Sequence, residues 1–141
     1  MNKFQKKEPS DFGNIEKLSS IFYAFENFPA TQIVPFTKED VLTAIKNNQF
    51  DSRPFQSVEV NREFQQLLDK LSKEGKTNPE KDELLKIHAR NYHIERTAYF
   101  VNNISQEPIT VTLDNKVKDG IHRIMAALVR NEKEISYVIE S

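Results

Sequence analysis

PITVTLDNKVKDGIHRIMAALVRNEKEISYVIES, residues 108–141, decides the fold of this chain. Its first part, ITVTL at 109–113, is a β-branched run that reads as a strand. Asp114-Asn115 is a hairpin turn, and 116–119 a second short strand. Residues 121–130 are helix formers, 131–133 a turn, and 134–139 a last strand. Strand, polar turn, helix, strand predicts a small sheet with a helix laid on it. Asp119-Gly120-Ile121-His122-Arg123 stands where strand turns into helix. That order aims a helix N-terminus, a His and an Arg at one point.

The residue types at this turn suit an anion. Gly120 permits a tight backbone path and close ligand approach. Residues 121–123 supply the first backbone N–H groups of the helix, which together with its dipole attract phosphate or carboxylate. Gly120, Ile121 and Arg123 are therefore candidate phosphate-binding residues, Arg123 through a two-pronged guanidinium grip. His122 is a candidate donor or general acid/base, and Asp119 a candidate to orient it or to help hold a metal. The plain alternative makes Asp119 a helix cap, His122 a surface side chain and Arg123 half of a surface ion pair. Ala126 and Ala127 keep one helix face thin enough to press onto a sheet.

Upstream the chain is punctuated into helices. Residues 1–10 are polar and lysine-rich and predict a flexible N-terminus; residues 11–141 predict one domain. Residues 14–27 carry Ile15, Leu18, Ile21, Phe22 and Phe25 at helical spacing, and Phe28-Pro29-Ala30 breaks them. TQIVPF at 31–36 predicts an edge strand or strand end, because Pro35 cannot donate to a ladder. Thr37 with Asp40 three positions on is a capping pattern for a helix ending near Asn47-Asn48. After a loop at 51–56, residues 58–71 resume helical spacing, and the Gly75 to Pro79 punctuation closes them. Residues 79–103 predict a long helix with a bend near Asn91-Tyr92.

Composition narrows the function classes. The chain has 141 residues, 20 Lys plus Arg against 21 Asp plus Glu, and a formal charge of −1. Bulk charge therefore does not support DNA or membrane as a partner. With no cysteine, disulfides, thiolate metal sites and cysteine nucleophiles are excluded. No apolar stretch approaches the roughly 20 residues of a membrane span. The polar N-terminus lacks a signal-peptide core, and the expectation is a soluble, cytoplasmic protein.

His93, Glu95 and Arg96 form a second cluster, either a solvated helix face or a contribution to the site. His88 and His93 are five apart, the wrong spacing for two metal ligands on one helix face, and no metal site is identified. Phe50 and Phe55 flank a loop, as core residues or as the lining of a pocket or an interface.

DGIHRIMAAL between two short strands, preceded by PITV and followed by EISYVI, resembles the ParB/sulfiredoxin-like superfamily. Gly120, Arg123 and Ala126 match the fixed positions of its G-x-x-R-x-x-A phosphate motif, and His122 stands where ParB proteins usually have Arg. HIERTAYFVNN ahead of PITV is similar to small ParB-like proteins of plasmids, phages and other mobile genetic elements. The resemblance covers about residues 92–141, with looser agreement at 28–48. It implies an α+β fold, a small mixed sheet flanked by helices, with the N-terminal two-thirds mostly helical. It also implies binding of a nucleotide, CTP or ATP/ADP with Mg²⁺, and hydrolysis or phosphoryl transfer, with Glu95 a candidate base or metal ligand by position. Sulfiredoxin chemistry needs a cysteine that is absent. Full ParB proteins continue into a helix-turn-helix domain where Ser141 follows the last strand, so centromere-type DNA binding is not the expectation.

Three readings follow. The first is a nucleotide- or phosphate-binding ParB-like domain with His122, Asp119 and Glu95 as catalytic candidates. The second is a non-catalytic protein-interaction module, an inhibitor or adaptor of a plasmid or phage. The third and weakest is a DNA-binding protein or nuclease.

Overall fold

The computed structural model describes residues 4–6, 12–14, 36–105, 107–112, 117–132 and 134–140. Among them are strands β1 (Phe4–Lys6) and β2 (Phe12–Asn14), then helices α1 (Lys38–Lys46), α2 (Val58–Lys73) and α3 (Asn78–Asn102). The decisive C-terminal stretch forms β3 (Ile109–Thr112), β4 (Val117–Asp119), α4 (Ile121–Val129) and β5 (Glu134–Glu140). The fold is mixed α+β, and the four elements after residue 108 fall where the sequence places them.

The helix boundaries have local causes. Thr37 caps α1: its hydroxyl accepts from the Asp40 amide at 3.2 Å, and the Asp40 carboxylate accepts from the Thr37 amide at 2.8 Å. Thr77 and Glu80 repeat that reciprocal pair at the start of α3, and Ser57 caps α2. Gly75, at φ +76°, takes the left-handed position after α2 that a side chain would resist. α3 is hydrogen-bonded as one helix through Asn91-Tyr92, where the sequence suggests a bend. Asn and Tyr are only mildly unfavourable in a helix, and neither removes a backbone donor.

Path order in the sheet is β1-β5-β3-β4, with β2 also pairing β5. β5 runs parallel to β3 and antiparallel to β1 and β2. Phe4 to Lys6 thus form a strand within the segment read from sequence as a flexible N-terminus. Three residues carry no readable period, and the open edge of β5 supplies the hydrogen-bonding partners that the segment lacks alone. Asn14, the expected first residue of a helix, belongs to β2. The rest of that helix and the edge strand at 31–35 lie outside the described residues. Between β3 and β4 the register slips so that Thr110 faces Asp119 and Val111 faces Val117, a bulge at Lys118.

α4 is the centre of the packing. Toward the sheet, Ile124 and Ala127 are buried with Ile109, Val111 and Val117, flanked by Ile121, Leu128, Ile135 and Tyr137. Toward the other helices, Val129 packs on a cluster of Val41, Ala44, Ile94 and Ala98. Small side chains at Ala126 and Ala127, both fully buried, let α4 be covered on more than one side. Arg130 just beyond α4 donates to the Phe100 carbonyl at 2.8 Å, in the last turn of α3, where carbonyls lack helical partners. These contacts fix the N-terminal turn of α4 beside the middle of α3. No helix of the described residues is long and apolar enough to cross a membrane.

Candidate functional site

Gly120 is the N-cap of α4, at φ +103°. Two constraints require glycine there. The left-handed backbone disfavours any side chain. A Cβ would also stand 2.4 Å from Ile109 Cγ2 and 2.8 Å from Ile109 Cβ, a residue with no room to move in the core. The Gly120 carbonyl accepts from the amides of Arg123 and Ile124 at 3.0 and 3.1 Å. No side chain caps the turn, so the amides at Ile121 and His122 are without the intrahelical acceptors that later residues have.

Arg123 is on the first turn of α4 and half-buried. Its guanidinium donates to the Glu107 carbonyl at 2.9 Å, which ties the helix start to the approach to β3. Asp119 closes β4 directly before the turn, its backbone opposite Thr110.

His122 turns inward. Its Nε2 lies 2.7 Å from Nδ1 of His93 on α3, and the two rings meet edge to edge, 5.0 Å between centroids with planes 16° apart. One nitrogen of this contact carries the shared proton and the other accepts it. His93 is only 2% exposed, beneath Phe55 at 5.3 Å and edge-on to Tyr92 at 5.2 Å. Tyr92 is edge-on to His122 as well. Burial lowers the pKa of His93 from 6.5 to about 4. Burial, followed by repulsion from His93 when that ring is protonated and from the guanidiniums of Arg96 and Arg123, holds His122 well below its ordinary value. Both rings are therefore neutral at physiological pH.

Two buried nitrogens at this seam have no hydrogen-bond partner among the described residues, Nε2 of His93 and NH1 of Arg96. They stand one turn apart on α3. The Arg96 guanidinium lies over the Phe100 ring at 4.6 Å, an arrangement that holds the cation in place while leaving its N–H groups able to donate.

Glu95 is directed elsewhere. Two residues beyond His93 on a helix, it projects to another side. Its carboxyl pKa is raised by burial and by the negative charges of Asp51 and Glu63. These belong to a separate network in which Arg53 bridges Asp51 and Glu63, each at 2.6 Å, and His88 meets Glu63 at 2.8 Å. The Tyr92 hydroxyl joins it by donating to the Arg53 carbonyl at 2.6 Å. The structure thus brings together Gly120, Ile121, His122 and Arg123, adds His93, Arg96, Tyr92 and Phe55, and sets Glu95 apart. Among the described residues no group of three His, Asp or Glu side chains is placed to hold a metal.

Sequence spacing did not reveal the His93–His122 pair, whose members are 29 positions apart. One signal was available: Ala89, His93 and Thr97 are four apart, and all three are buried along one face of α3. Comparisons with protein-family models, with curated proteins and with solved structures found no match.

Proposed function

We propose that the chain is a phosphate-binding domain of the ParB-like kind its sequence resembles, with a nucleotide, CTP or ATP/ADP with Mg²⁺, as the ligand. Its phosphates sit on the amides at the Gly120-Ile121 turn and against Arg123, with Arg96 completing the grip from α3. The observation that carries this reading is the pair of buried nitrogens without partners among the described residues, on His93 and Arg96 of α3, the helix whose His93 meets His122 in the glycine-capped first turn of α4. Leaving a buried donor unsatisfied costs about 1–3 kcal/mol, and an oxyanion relieves that cost at Arg96, and at His93 whenever its Nε2 carries a proton. The described side chains form a grip more than a proton-transfer pair, because His122 is engaged by His93 and Glu95 stands in the other network. Positioning and charge neutralisation are the greater part of what phosphoryl chemistry asks of a protein. Binding is accordingly the primary role, and hydrolysis or transfer is secondary to it.

The test is a thermal-shift and calorimetric screen of CTP, ATP, ADP and GTP with Mg²⁺, on wild type, Arg123→Lys and Arg96→Gln. Stabilisation by one nucleotide, weakened about tenfold or more in both variants, is the expected result. Equal binding by variants that melt like wild type sinks the proposal.

A protein-interaction module is the second reading. Val58, Leu84 and Ile87 on α2 and α3 are 68%, 37% and 45% exposed, apolar surface that the described fold leaves uncovered. It predicts no nucleotide effect and a defined partner in a pull-down from the native host.

A further inference from the structure

The two rings at the α3–α4 seam are more than packing. In the neutral pair two protons serve four ring nitrogens, one of them in the 2.7 Å contact between His93 and His122. A third proton would give an imidazole–imidazolium pair in which both outer nitrogens are donors and one positive charge is shared. Nε2 of His93, buried and without a partner among the described residues, would then need an acceptor. NH1 of Arg96, one turn on, needs one already. Resting on the phosphate-binding reading above, we propose that oxyanion binding at this seam is coupled to uptake of one proton by the His93–His122 pair.

The charges around the pair set the direction of the coupling. Arg96 from α3 and Arg123 from α4 both oppose a third positive charge there. An anion lying against these guanidiniums offsets them and supplies the missing counter-charge. The other ionisable groups of neighbouring elements are committed elsewhere. In the loop before α2, Asp51 is bound to Arg53, which also holds Glu63 of α2. On α3, His88 faces Glu63, Glu95 stands in the field of that network, and Arg90 reaches Asp40 of α1 at 2.7 Å. The Tyr92 hydroxyl, whose pKa burial raises to about 12, donates to the Arg53 carbonyl and does not titrate in the physiological range. Asp119 ends β4 immediately before the turn and is the carboxylate next to it in sequence.

Linkage makes the effect reciprocal: if the anion favours the protonated pair, acid favours the anion. Affinity therefore rises as pH falls from the pair's midpoint in the complex toward its lower midpoint in the free protein, by up to about tenfold per pH unit. This property separates the seat from a plain guanidinium grip, whose affinity for a fully ionised anion is flat over that range.

Sulfate is the probe, because it does not itself titrate near neutrality and any proton counted belongs to the protein. Calorimetry at about pH 6 in buffers of different ionisation enthalpy counts the protons taken up, and imidazole ¹⁵N shifts of the intact wild type report the state of the pair. The expected result is uptake of up to one proton per sulfate, with both histidines moving toward the shared imidazolium form. In His93→Gln the uptake vanishes and the pH profile flattens. Saturable sulfate binding with no proton uptake and unmoved histidine signals overturns the coupling while leaving the phosphate-binding reading intact. No saturable sulfate binding overturns the coupling as well, and the nucleotide screen then decides the fate of the underlying reading independently.

Discussion

Two polar regions flank α3, and they are built on opposite terms. On the α2 side, Arg53 bridges the carboxylates of Asp51 and Glu63, and Nε2 of His88 stands 2.8 Å from a Glu63 oxygen. On the α4 side, two neutral histidines are packed together in the field of Arg96 and Arg123, with two buried nitrogens unsatisfied among the described residues. The first region resembles a clasp, with the Arg53 guanidinium closed between two carboxylates. The second gathers positive charge around two buried nitrogens, on His93 and Arg96, that have no acceptor among the described residues. Buried polar groups without partners each call for an explanation, and at this seam the proposed one is a bound anion. The difference teaches that a concentration of acidic residues is not by itself the sign of a site, and that incompleteness is the better guide.

The largest expected effect tests whether the α4 turn is as constrained as its geometry says. Gly120→Ala combines a left-handed backbone with a clash against Ile109, and should cost about 3 kcal/mol in urea unfolding. A loss under about 1 kcal/mol would show that the turn relaxes freely, and the seam would lose its claim to be a preformed seat.

Acid titration separates the two regions by pH window. The folded-state pKa of His93, about 4, is below its ordinary 6.5, so between these values the unfolded chain binds a proton that the native chain refuses. Stability consequently falls as pH drops from about 6.5 toward about 4, by up to roughly 3 kcal/mol from this residue. Glu63 behaves as a clasp residue should. Its hydrogen bond to Arg53 lowers its pKa below the ordinary 4.5, so its contribution is present above that value and is lost only as pH falls further. Unfolding midpoints measured across both windows should show two declines, the upper one reduced in His93→Gln and retained in part through His122. A flat wild-type profile from pH 6.5 down to 4.5 would contradict a buried neutral pair.

The smallest effect concerns the residue that sequence placed with the turn and structure places with the clasp. Glu95 has a raised pKa, caused first by burial and then by Asp51 and Glu63, so its ionised form is held at a cost above the ordinary 4.5. Glu95→Gln should raise stability at neutral pH by about 0.5 kcal/mol, and the gain should disappear in acid as the native carboxyl protonates. Thermal melts at both ends of the range check the sign. If the same substitution abolishes nucleotide binding, the two regions form one site and the contrast between them dissolves.

Much of the C-terminal architecture was legible because its signals are local. Alternating Ile109 and Val111, the glycine at 120 and the apolar face of 121–129 each act over a few neighbouring residues. The capping pair Thr37–Asp40 was readable for the same reason, whereas its counterpart Thr77–Glu80, equally local, went unread behind the Gly75 to Pro79 punctuation. β1 was not legible, since three residues become a strand only through the edge they meet on β5. The cluster His93-x-Glu95-Arg96 shows the same limit at the site. Its members are adjacent in sequence, yet the turn of α3 sends His93 to His122 and Glu95 toward Asp51 and Glu63.

Sequence alone determined the mixed α+β character, the strand–turn–helix–strand order after residue 108 and the glycine-led turn, because each depends on backbone preferences and short-range spacing. Only the tertiary structure decided that His122 faces inward, that His93 and not Glu95 is its neighbour, and that Arg96 lies within reach of the same charge field. Those facts depend on which faces of α3 and α4 are pressed together, and that follows from burial of Ile124 and Ala127 against the sheet and Ile94 and Ala98 against α1 and α4. Close packing fixes the rotation of each helix about its axis, and with it the direction of every polar side chain the helix carries.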